Sequence, residues 1–347
     1  MNDKKPSIQE WKDLYAAAIE FKNIKCWDWM WDTDIFGVQN PENGEIGYCC
    51  VMGGAGEHYA LGVYLGSEGL DGYLKIRTGS LCPSLEEVLD TQNLLMASFE
   101  DRKYLEKEDL KLIKELGLKF SGPKSWPLFR SYQPGCFPWY LTSEEARYLT
   151  LCLKQAIEVS LRFKDDSEML TPPAENRYLV RIPQRQKKEN DLSWRDIWME
   201  PLPLEKAEIR VKLTESDRVR LERIKDRIPH RQGIWEADFF YYPHAIKERD
   251  ERPFYPYVAL WVDHNSGFIF SHNLAKPAEC IDEFPRQFLK VAEEIGFLPQ
   301  EIFVKKEEAF QLLKPITSEL GINLRKLNNL EMLEETKASM FKFTAGE

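Results

Sequence analysis

The chain has 347 residues, 43% of them hydrophobic and 30% charged, with a net charge of −10. That balance excludes collagen-like, low-complexity and wholly disordered proteins, and the length favours two domains over one. Residues 201–347 hold 22 Lys+Arg against 25 Asp+Glu, leaving −7 on residues 1–200, so neither half carries the basic excess of a dedicated DNA-binding domain.

No stretch approaches about 18 consecutive apolar residues. The N-terminus leads into a mixed polar segment and lacks the apolar run of a signal peptide. Seven cysteines without framework spacing read as reduced thiols, which points to a cytoplasmic protein with no membrane partner.

Ser7 and Glu10 form a capping box that opens a helix over 7–22, carried by Trp11, Leu14, Tyr15, Ala18 and Ile19. Trp27, Trp29 and Trp31 alternate with Asp28, Met30 and Asp32, a period of two that predicts a half-buried strand. Strands follow at 35–38 and 46–52, joined by a turn containing Asn43-Gly44, and Gly53–His58 turns into a strand at 59–64. Helical segments at 84–90 and 107–116 flank extended segments at 94–99 and 126–132. Thr142 and Glu145 make a second capping box, opening a helix to about Leu161. A strand at 177–182 and an exposed polar loop at 184–191 complete an α+β domain with an antiparallel sheet over residues 1–195.

The second domain spans 206–347. Ala207 to Leu213 alternates as a strand, and Thr214 with Asp217 caps a helix carrying Val219, Leu221, Ile224 and Ile228. Strands at 234–241, 257–262 and 268–273 are joined by connections that make them antiparallel. Then come a helix at 279–295, a strand at 302–304, a helix at 306–320, a strand at 322–327 and a final helix at 331–340. Helical crossovers make the later strands parallel, so this is an α/β domain with a mixed sheet.

This element order is that of the ribonuclease H-like fold. The segments Trp235–Phe239, Val262–Ile269 and Gly321–Leu324 resemble the retroviral-type integrase and transposase core. The resemblance covers about 110 residues, and in overall organisation the chain resembles bacterial proteins made of two domains of unknown function. It implies three carboxylates around two Mg²⁺ or Mn²⁺ ions that clamp the oxygens of a phosphodiester. Asp238 matches the first carboxylate and metal ligand. Lys305 and Lys306 stand where the second belongs, and a cation cannot ligate a divalent ion. Glu331, Glu334 and Glu335 are available for the third. Ribonuclease-like members also use an acid on the first helix after the three strands, which gives the set Asp238, Glu283 and Glu335.

Three readings follow. The first is a non-enzymatic interaction protein with a degenerate ribonuclease H-like domain and a protein partner. The second is a divalent-metal-dependent nuclease or phosphotransfer enzyme using Asp238, Glu283 and Glu335. The third is a nucleic-acid-binding protein that contacts phosphate through Arg210, Arg218, Arg223, Arg227 and Arg231, although Lys206–Arg231 also holds five acids and reads as a solvated helix face. Elsewhere the bland reading is favoured. The glycines before His58 match no P-loop, His244, His264 and His272 fit no zinc spacing, and the tryptophans suit a small core.

Overall fold

The computed structural model describes residues 4–79, 85–185, 192–204, 213–248 and 251–345. The chain divides into two units, Met1–Pro134 with Pro138–Glu205, and Gly135–Phe137 with Lys206–Glu347.

In the first unit the Ser7–Glu10 capping box starts α1 (Ile8–Ile24), which buries Leu14, Tyr15, Ala18 and Phe21. Lys25, in the left-handed region at φ 57, stops it. The chain continues through β1 (Phe36–Gln39), β2 (Ile46–Met52), β3 (Tyr59–Leu65), α2 (Gly66–Arg77), α3 (Leu85–Thr91), β4 (Leu94–Glu100), α4 (Lys107–Glu115), β5 (Trp126–Tyr132), α5 (Ser143–Asp165), β6 (Tyr178–Arg185) and β7 (Leu192–Met199). These strands form one sheet in the order β5-β4-β3-β2-β1-β6-β7. Apolar faces of α1 and α5 share a core with Val38, Cys49, Leu61 and Phe99. On a second cluster, Leu70 and Tyr73 of α2 pack with Tyr48 and Cys50.

Two expectations for this unit change, and two elements are added. The sheet is mixed rather than antiparallel, because β6 pairs parallel to β1. Helix α5 is the reason: it carries the chain back from edge strand β5 across the sheet, with Tyr148 Oη donating to Val38 O at 2.7 Å. The tryptophan run is not a strand. Cys26–Asp28 form a single 3-10 turn after α1. Trp27 enters the core, Trp29 Nε1 donates to Ser160 O at 2.8 Å, and Trp31 stays 61% exposed. Helix α2 is an addition to the sequence reading. Its glycines weaken the helical signal, yet they are needed: a Cβ at Gly72 would lie 2.3 Å from Thr91 O, and one at Gly69 2.5 Å from Asn93 O. Strand β7 is also additional, pairing antiparallel along the whole of β6.

The second unit comprises α6 (Glu215–Arg227), β8 (Ile234–Tyr241), β9 (Tyr257–Asp263), β10 (Ile269–Ala275), α7 (Pro277–Ile295), β11 (Glu301–Val304), α8 (Glu307–Leu320), β12 (Asn323–Lys326) and α9 (Glu331–Ala345). The sheet order is β10-β9-β8-β11-β12. Strands β8, β9 and β10 are antiparallel neighbours, whereas β8, β11 and β12 run parallel. Odd-numbered positions of β8 face α7, with Phe239 packed on Phe284 and Trp235 on Phe288. Even-numbered positions face α9, where Phe240, Val258, Leu260, Val262 and Phe303 meet Leu330 and Leu333. Pro315 lies inside α8 without ending it. Residues 207–212 of the expected strand, 186–191 of the expected loop, Cys82 and Arg210 lie outside the described residues, while Gln184 and Arg185 of that loop belong to β6 and Leu213 to no strand. Among the described residues six cysteines are free, and no helix is long and apolar enough to cross a membrane.

Candidate functional site

Strand alternation sets the site. Glu236 and Asp238 are two residues apart on β8, so both project to the α9 side of the sheet. Both are almost fully buried, at 1% and 4% exposure. Uncompensated buried carboxylates would be severely destabilising; Asp238 is met by three backbone N–H groups, and Glu236 by one together with the His264 ring.

Asp238 Oδ1 accepts from Phe239 N at 2.9 Å. Its Oδ2 accepts from both Lys305 N and Lys306 N at 3.1 Å. These two residues fill the gap between the end of β11 and the start of α8, and Lys306 is the α8 N-cap. Asp238 thus receives the junction that launches α8 and adds negative charge near the positive end of its dipole. Burial pushes its carboxyl up to about 6, while the Lys306 charge and the three N–H donors pull the other way.

Glu236 does the same for α9. Its Oε2 accepts from Leu333 N, in the helix's first turn, at 2.8 Å. Its Oε1 pairs with His264 Nδ1 at 2.6 Å. His264 sits in the turn after β9 and lies edge-on to Phe303. The sequence singles out His264 only as a histidine that fits no zinc spacing, and gives Glu236 no role. The available signal was a glutamate in the otherwise apolar run Ile234-Trp235-Glu236-Ala237.

The lysines beside Asp238 are themselves engaged. Lys305 Nζ pairs with Glu334 Oε1 at 3.0 Å, bridging the β11–α8 junction to α9. Lys306 Nζ lies over the rings of Phe239 and Tyr257 at 4.9 and 5.1 Å. Lys337 Nζ lies 4.4 Å from the centre of the Phe240 ring. Lys337 Nζ also lies 3.9 Å from Glu334, so Lys306 is the lysine whose charge acts on Asp238.

The other sequence-predicted acids are not brought to Asp238. Glu283 is on α7, against the opposite face of the sheet, where it pairs with Arg286 at 2.5 Å. Arg286 also bonds Asp217 of α6 at 3.0 Å. Glu335 is exposed on α9, and its neighbour Glu334 is the one held by Lys305. Among the described residues no group of three His, Cys, Asp or Glu is placed to hold a metal ion. The donor set also fits a two-metal centre poorly on chemical grounds. Asp238 has its oxygens turned onto three N–H groups, those of Phe239, Lys305 and Lys306.

The arginines predicted for phosphate contact are spread. Arg218, Arg223 and Arg227 are exposed on α6, interleaved with Glu215, Glu222 and Asp226. Arg223 lies 3.6 Å from Glu293, which Arg220 also binds at 2.9 Å. Arg231, beyond α6, donates to Leu320 O at 2.5 Å.

Among solved structures, the chain is similar to the trimeric form of the HTLV-2 integrase catalytic core domain in complex with magnesium. Identity is 23%, over 32% of this chain and 68% of that one, with a TM-score of 0.25. It is also similar to the simian T-cell lymphotropic virus intasome in complex with PP2A regulatory subunit B56 gamma. There identity is 19%, over 35% of this chain and 44% of that one, again with a TM-score of 0.25. No curated protein matches. Residues 11–181 match the family described as Domain of unknown function (DUF7309), and residues 220–341 match the family described as Domain of unknown function (DUF6930).

Proposed function

We propose that residues 206–347 are a ribonuclease H-like core whose carboxylates anchor helices instead of metals. In this reading the protein is a non-enzymatic interaction protein, and residues 1–195 are a separate interaction module. Support for the fold comes from three antiparallel strands continued by two parallel ones on the β8 side. The observation that carries the functional reading is the double N–H contact of Lys305 and Lys306 on Asp238 Oδ2. It explains how an acid at the first catalytic position is retained while the second position holds lysines. Fold and activity separate readily, and here the chemistry of the site argues for the fold alone.

Calorimetric titration of Mn²⁺ into the protein and into Asp238→Ala, at pH 7.5, tests this. The expected result is the same heat for both proteins. Micromolar binding that disappears in the variant, together with Mn²⁺-dependent cleavage of nucleic acid, would overturn the proposal in favour of a metal-dependent nuclease.

A further inference from the structure

We draw no further inference here: the strongest candidate, the exposed apolar rim of edge strand β10 formed by Phe268, Ile269 and Leu274, carries nothing because no feature of the structure shows what covers it.

Discussion

Asp238→Asn isolates the electrostatic consequence of burying a carboxylate on β8. The amide keeps the shape and can still accept from Lys305 N and Lys306 N, but it does not titrate. In the wild-type chain the folded carboxyl holds its proton more tightly than the unfolded one, so native stability falls as pH rises between the two values. The shift from 3.8 to about 6 corresponds, at 1.36 kcal/mol per unit, to about 3 kcal/mol over the full titration. About 2 kcal/mol of that falls between pH 4.5 and pH 8, where urea unfolding is practical. The quantity to measure is the unfolding free energy of Asp238→Asn minus that of wild type, because other titrations cancel. It should rise by about 2 kcal/mol from pH 4.5 to pH 8. A fixed offset is also expected, since the amide Nδ2 faces Phe239 N–H, but that offset is independent of pH. A difference that stays flat, or that falls with pH, would refute the argument that burial dominates the lysine charge and the N–H donors.

Glu236→Ala should cost about 3 kcal/mol, because it orphans Leu333 N–H and the His264 partner together. Hydrogen exchange should then rise first in α9, and unchanged protection there would count against the anchoring role. Gly72→Ala should destabilise the first unit by about 2 kcal/mol, since its Cβ would meet the Thr91 carbonyl with no flexible side chain to yield; thermal melting reads this directly. Glu10 is held at about 2 by Ser143, with Ser7 and Arg147 adding to the effect against the opposing cost of burial. It therefore supplies stability that is present above the ordinary carboxylate range and is lost as pH falls toward 2. Glu10→Gln should cost about 1 kcal/mol at pH 7 after solvent screening and less at pH 3, with acid unfolding curves converging. Curves that stay parallel would exclude that role.

The second unit was largely legible because its elements carry strong local signals. Thr214 with Asp217 starts a helix, Gly296 and Gly321 end two, and apolar runs of the right length bound the strands. Strand directions followed from whether a turn or a helix joined neighbours. The first unit was less legible where tertiary contacts override local preference. Gly69 and Gly72 look like helix breakers until the carbonyls pressed against them are known. The Trp27–Trp31 alternation looks extended until Lys25 bends the chain into a turn. The parallel entry of β6 beside β1 depends on where α5 crosses, which no local pattern encodes. At the candidate site, Asp238 and the intruding lysines were visible as residue types. Their actual partnership was not, because the contact is made by backbone N–H groups that every residue possesses.

The two carboxylates share one strand and one parity, and this links the fates of two helices. Deleting or inserting a single residue in β8 ahead of Trp235 would rotate both acids onto the α7 side and drive Trp235 and Ala237 toward α9. The entry points of α8 and α9 would then be lost in one event rather than two. The β8 register is thus the common reference from which both helices are placed, and the second unit should gain or lose them as a single cooperative block.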